Sequence, residues 1–154
     1  MRLLLYDSVT DVRLGESIKG TKSFCLSEEY FRRHFGKEAL IPGVMYIEAM
    51  AQLLGWLVIH THGFRLSAVM SLIEDVKVAP DLRPGFTAEI FGRLASTSKS
   101  DSLGSARMSI DGREIASIGR IIYVHSAVAD RNALRKLYHY YGGRLGPEKE
   151  RHGQ

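Results

Sequence analysis

The chain is poor in the residues that build special architectures. Its single cysteine, Cys25, allows no internal disulfide, which fits a reducing compartment. In the strand-like run Phe24-Cys25-Leu26 it is expected to be a small core residue rather than a nucleophile. Four prolines, one tryptophan and the lack of any repeat or low-complexity tract leave no Pro-rich linker or solenoid to consider. Charge of one sign is also scarce. The 21 Lys and Arg residues against 17 Asp and Glu give a net +4, far from the bias of a dedicated nucleic-acid binder but suited to an acidic partner or a phosphate-bearing ligand. No apolar run reaches the roughly 20 residues of a membrane span: the longest, Val44 to Ile59, carries Glu48 and Gln52 in its middle. The N-terminal run Leu3-Leu4-Leu5-Tyr6 breaks at Asp7, too soon for a signal peptide. His60 and His62 have no acidic or cysteine cluster beside them, so no metal site is expected. These absences predict a cytoplasmic protein with no membrane span and no nucleic-acid partner.

The 154 residues, 45% hydrophobic and 25% charged, suit one soluble domain with its own core. Leu3–Val12 and Ser17–Leu26 read as two strands joined near Gly15, and a short turn or helix from Ser27 ends near His34. Pro42-Gly43 opens a long helix running to about Thr61, where Gly63 stops it. That helix is apolar on nearly every face, so protein is expected all round it. Gly55 within it costs up to about 1 kcal/mol relative to alanine, which close packing against a sheet would explain. Strands follow at Arg65–Val78, Thr87–Ser98, Gly104–Ile110 and Arg113–His125, with Asp111-Gly112 as a hairpin turn. The pattern predicts an α+β fold: about six antiparallel strands wrapped around one long helix. Asp130–Tyr141 forms a second, amphipathic helix with Leu134, Leu137, Tyr138 and Tyr141 on one face, expected to dock on the sheet or on a partner subunit. The chain divides into a main domain over 1–126, this helix within 127–142, and a polar tail over 143–154 expected to be disordered.

Candidate chemistry concentrates between His34 and Gln52. Glu48 stands in the second turn of a helix expected to be buried, where a carboxylate is expensive. Burial raises a carboxyl pKa by more than the helix N-terminus lowers it, so a partly protonated general acid is expected there. Gln52, four residues on, shares its face and can orient it. The N–H groups near Gly43 and Val44 begin the helix without intrahelical partners and favour negative charge, so they can stabilise an enolate-like oxygen. His34, on the loop before the helix, supplies a base with a reference pKa near 6.5. Together these parts suit proton removal alpha to a carbonyl as a hydroxyl leaves the beta carbon. Trp56, Met45 and Met50 are core or the wall of an acyl tunnel, and position alone does not separate the two.

The segment resembles a known family. His34-Phe35, then Pro42-Gly43-Val44, then Glu48-Ala49-Met50-Ala51-Gln52, is similar to the active-site signature of the FabZ-type 3-hydroxyacyl-acyl carrier protein dehydratases. Leu3–Asp7, Ile73–Val78 with Pro80 and Pro84-Gly85, and Ile110-Asp111-Gly112 extend the resemblance over about residues 3 to 124. It implies a hotdog fold. It also implies His34 and Glu48 as catalytic pair, the Gly43 N–H as carbonyl donor, and substrate contacts by Val44 and Gln52. Dehydration of a 3-hydroxyacyl thioester to the trans-2-enoyl product would need no cofactor beyond the phosphopantetheine that the substrate carries. The implied partners are acyl carrier protein, or acyl-CoA in its place, and a second copy of the chain completing each site. A hexamer built as a trimer of dimers is a further implied assembly. Arg32, Arg33 and Lys37 flank His34 and could receive an acidic carrier or a phosphate.

Departures mark a divergent member. Gly36 and Ala39 stand where the family usually has prolines, Phe86 replaces the acidic residue after Pro84-Gly85, and the C-terminal helix is an addition. A specialised lipid or polyketide pathway, beside fatty-acid synthesis, is therefore in view. Two other functions fit the same fold: a hotdog acyl thioesterase, and a non-catalytic acyl-carrier-binding subunit.

Overall fold

The computed structural model describes residues 4–32, 38–80 and 82–142, the side chains of Tyr30 and Arg32 excepted. The order of elements is β1 (Ser8–Arg13), β2 (Ser17–Phe24), a 3-10 turn (Glu29–Arg32), α1 (Gly43–Thr61), β3 (Leu66–Val78), β4 (Phe86–Thr97), β5 (Asp101–Ile110), β6 (Arg113–Ala127) and α2 (Arg131–Gly142). The six strands form one antiparallel sheet in the order β1-β2-β4-β5-β6-β3. It curls round α1, which touches β2 through β6.

Alternation drives the sheet. Along β2, Ile18, Gly20, Lys22 and Phe24 turn inward while their neighbours face out, the period of a half-buried strand. The core is the inner face of the sheet closed on Tyr46, Met50, Leu53, Leu54, Leu57 and Val58 of α1. Each such apolar side chain contributes about 1.5–3 kcal/mol on burial. Gly63, at φ +62°, ends the helix in a Schellman motif: its N–H donates to His60 O and the Phe64 N–H to Ile59 O, with Phe64 buried behind them. At the other end, a Cβ on Gly43 would stand 2.9 Å from Val78 Cγ1, so only glycine lets the helix start approach the end of β3 this closely.

Four expectations are corrected. The first strand begins at Ser8: Leu4–Tyr6 is irregular, and the Leu5 N–H serves a side chain of α1 instead of a neighbouring strand. Cys25 lies beyond the end of β2 and is exposed, because the chain has already turned toward the Glu29–Arg32 turn. α1 is not enclosed on every side: Val44 (62% exposed), Glu48, Gln52, Trp56 and His60, at four-residue spacing, form a face only partly covered. Gly55 is not demanded by packing, since a Cβ there would meet only Tyr123 Cε1, at an ordinary 3.5 Å.

The second helix is capped by Asp130, whose Oδ1 accepts from the Ala133 N–H. As expected it packs on the sheet, against β1, and it also reaches across to α1. Tyr138 (5% exposed) packs its ring against Trp56, His60 and Phe64, and Arg131 Nε donates to Gly63 O. Residues 143–154, where a polar tail is expected, lie outside the described residues.

Candidate active site

Glu48 projects from the second turn of α1 and is half-buried in the chain taken alone. Gln52, one turn on, donates from Nε2 to Glu48 Oε1 at 2.9 Å. Its Oε1 accepts the Leu5 N–H, also at 2.9 Å. Only one orientation of the amide satisfies both bonds, since a flipped amide would put N–H against N–H on one side and oxygen against oxygen on the other. The irregular segment before β1 therefore fixes Gln52, and Gln52 aims a donor at the carboxyl.

Tyr123, from β6, is buried beside them, and its hydroxyl donates to Ala51 O at 2.6 Å. Burial first, and then the charge of Glu48, push its pKa far above the ordinary phenolic value. This hydroxyl stays protonated and ties the last strand to the helix.

Glu48 and Gln52 open into a cavity of about 400 Å³ between α1, β3, β6 and α2. That is within the range of small-ligand sites. Past the two polar side chains the wall is apolar or aromatic, with Trp56 and Ile59 of α1, Met70 of β3 and Leu137 and Tyr141 of α2. Met45 and Met50 are core residues. Trp56 is a cavity wall.

Gly43 and Val44 form the first turn of α1. Among the described residues no side chain caps this end, and Pro42 stands at the cap in an extended conformation. His34, Arg33 and Lys37 lie outside the described residues, as does the side chain of Arg32. No group of three or more His, Cys, Asp or Glu side chains is placed to hold a metal among the described residues. Elsewhere His62 Nε2, Thr97, Ser102 and His125 Nε2 form a hydrogen-bonded chain at the far end of α1. Burial first, and His125 second, lower the pKa of His62.

Four contributors escape a reading of the sequence. The Leu5 backbone clamp has no side-chain signature. Tyr123 is visible only as one inward position in an alternating strand. Leu137 and Tyr141 fall on the apolar face of α2, but nothing local says that this face borders a cavity.

One long helix clasped by a single antiparallel sheet, with a carboxyl on its least covered face, defines a hotdog-fold domain. The chain belongs to the FabA-like domain family, whose match spans residues 1–118. The 3-hydroxyacyl-[acyl-carrier-protein] dehydratase FabZ of Thermomicrobium roseum is 30% identical over 137 residues, covering 86% of this chain and 87% of its own. The enzyme of the same name from Levilactobacillus brevis is 26% identical over 131 residues, covering 84% and 87%. Among solved structures, a Streptococcus mutans protein bound to acetyl CoA superposes with a TM-score of 0.64 at 13% identity, over 82% of this chain and 94% of that one. A hypothetical thioesterase protein with coenzyme A from Streptococcus pneumoniae gives 0.60 at 12%, over 78% and 85%. At such identities these two likenesses establish the fold alone.

Proposed function

We propose that this protein is a dehydratase converting a 3-hydroxyacyl thioester, carried on acyl carrier protein, to the trans-2-enoyl thioester in fatty-acid, lipid or polyketide biosynthesis. The observation that carries the reading is the Glu48 carboxyl, held by Gln52 where an apolar cavity along α1 begins. A proton donor at the polar end of an apolar slot suits a substrate whose reacting atoms sit at the head of a hydrocarbon chain. The likeness to the dehydratases supports the same reaction.

His34 removes the proton alpha to the thioester carbonyl. The electron pair of that C–H bond becomes the alpha–beta double bond as the beta carbon–oxygen bond breaks. Protonated Glu48 donates to the departing oxygen, directly or through water, so that water leaves, and the proton on His34 then restores Glu48. Each transfer by a positioned group contributes roughly 10²–10⁴-fold. The Gly43 N–H, at the positive end of α1, stabilises the charge that develops on the carbonyl oxygen, with Val44 beside it. These steps are proton transfers, and the proposed reaction uses no metal or redox cofactor. Arg32, Arg33 and Lys37 are the proposed landing patch for the carrier, and a cytoplasmic location goes with it.

The proposed unit is a homodimer with composite sites. Gly43 and Glu48 are five residues apart, about 140° round the same helix, which favours a site whose donor and acid come from different copies. The edge strand β3 offers the interface: thirteen residues long, it exposes Val69, Met70, Leu72 and Val76. A long apolar edge of this kind is covered by pairing.

The test is turnover of a 3-hydroxyacyl-pantetheine by parent and His34→Ala, followed by enoyl absorbance. Parent activity with a loss of at least 10²-fold in a folded variant is expected. Equal rates overturn the assignment, and release of free thiol without enoyl product marks a thioesterase instead.

A further inference from the structure

Helix α2 lies beyond the family match, which ends at residue 118, yet it supplies part of the cavity wall. The division of labour along it is sharp. Arg131 and Tyr138 hold it in place, through Gly63 O and the rings of Trp56, His60 and Phe64. Arg135 adds a cation over the Phe64 ring at 5.5 Å. Leu137 and Tyr141 make none of these contacts, although Tyr141 also packs against the core. They face the space into which Glu48 opens.

The cavity follows α1 from Glu48 to Ile59, eleven residues or about 16 Å of helix. With about 400 Å³ it has room for roughly a dozen carbon-sized groups, each taken as about 30 Å³, the share of a water molecule in the liquid. Gly55 sits midway. Glycine inside a helix costs about 1 kcal/mol relative to alanine, and packing here admits a Cβ. Gly55 lines the cleft, so a side chain reaching past the Cβ at this position would enter it.

We propose that α2 is the selectivity wall of the acyl cavity: Leu137 and Tyr141 set the longest acyl chain accepted, and Gly55 keeps the cleft open for a medium-length one. The proposal rests on the dehydratase reading for the identity of the substrate, but it is a statement about fit and can be read without turnover. Trp56 is the only tryptophan of the chain and lines the cavity, so its fluorescence reports occupancy directly.

The experiment uses the full-length protein, with Leu137→Ala/Tyr141→Ala to widen the cavity and Gly55→Leu to fill it from the opposite side. Both changes leave Arg131, Arg135 and Tyr138 in place, and leucine is a good helix former. Two saturated series running from butanoyl to hexadecanoyl are compared: 3-hydroxyacyl-pantetheine thioesters for turnover, and unreactive acyl-pantetheine thioethers for binding. One methylene in or out of a hydrophobic pocket shifts selectivity about 10–200-fold. The widened variant should raise the hexadecanoyl-to-octanoyl ratio, in kcat/KM and in affinity, at least tenfold. Gly55→Leu should lower it as far.

An unchanged ratio in both folded variants overturns the proposal and leaves the dehydratase reading standing if turnover persists. A binding cut-off that moves while no variant or parent dehydrates anything upholds the wall and overturns the dehydratase reading. Failure of the parent to bind any thioether overturns the proposal outright.

Discussion

Replacing Gln52 by leucine tests the central geometry most directly. The two side chains are similar in size, so the change removes hydrogen bonding with little change of volume. Among the described residues two bonds go: the donor to Glu48 Oε1 and the acceptor for the Leu5 N–H. Leu5 is almost fully buried, so its N–H would be stranded away from water, a loss of about 1–3 kcal/mol of stability. The bond to Glu48 is half-exposed, and about 1.4 kcal/mol for it corresponds to a tenfold fall in kcat. Gln52→Glu separates the two effects. Its carboxylate still accepts from Leu5, so stability should fall less, but it cannot donate to Glu48 and sets a like charge beside it. Like charges close together raise the proton affinity of the pair, so the pH–rate profile should move to higher pH. The assays are urea denaturation and enoyl formation across pH. Gln52→Leu with parental kcat would refute the idea that this amide aims the catalytic carboxyl. Unaltered stability would refute the idea that it clamps the segment before β1.

Three further outcomes are expected. The folded-state pKa of His62 lies below 6.5, so between the two values the unfolded chain binds the extra proton. The melting temperature should therefore fall as pH drops through 6.5 toward that lower value and then level off, and this segment should flatten in His62→Gln. Lys22, only 4% exposed, pairs with Glu28. Glu28→Ala should cost about 2 kcal/mol in urea unfolding, below the 3–5 of a fully enclosed pair because Glu28 is partly exposed, while Lys22→Met should cost less. On β3, Val69 is 58% exposed. Val69→Arg should shift the sedimentation mass toward monomer and lower activity with it, whereas a stable, fully active dimer would place the interface elsewhere.

Much of the fold was legible because its signals are local. Period-two runs found the later strands, Asp111-Gly112 found the β5–β6 turn, and Pro42-Gly43 and Gly63 bracketed α1 within a residue. The misreadings have a common cause. Leu3–Tyr6 has strand-forming residues, but its backbone N–H at Leu5 is claimed by Gln52, 47 positions away. α1 is apolar nearly all round, and composition could not show that the Val44–Glu48–Gln52 line stays partly open. Gly55 looked like a packing glycine because a low-propensity residue in a core helix usually is one, and the space beside it is a tertiary fact. Glu48 and Gln52 were found together because four-residue spacing on a helix is itself geometry.

The strand order has a consequence for how the chain is made. β3 is synthesised directly after α1, but among the described residues its one neighbour in the sheet is β6, whose last residues follow about 50 positions later. At about 5–20 residues per second, β3 waits several seconds for its partner. Throughout that interval both of its edges, rich in valine, leucine, isoleucine and methionine, are open to any other strand nearby. The β4–β5–β6 meander must close before β3 has a place to go. Slowing of translation within codons 79–127 should therefore lower soluble yield more than equal slowing upstream.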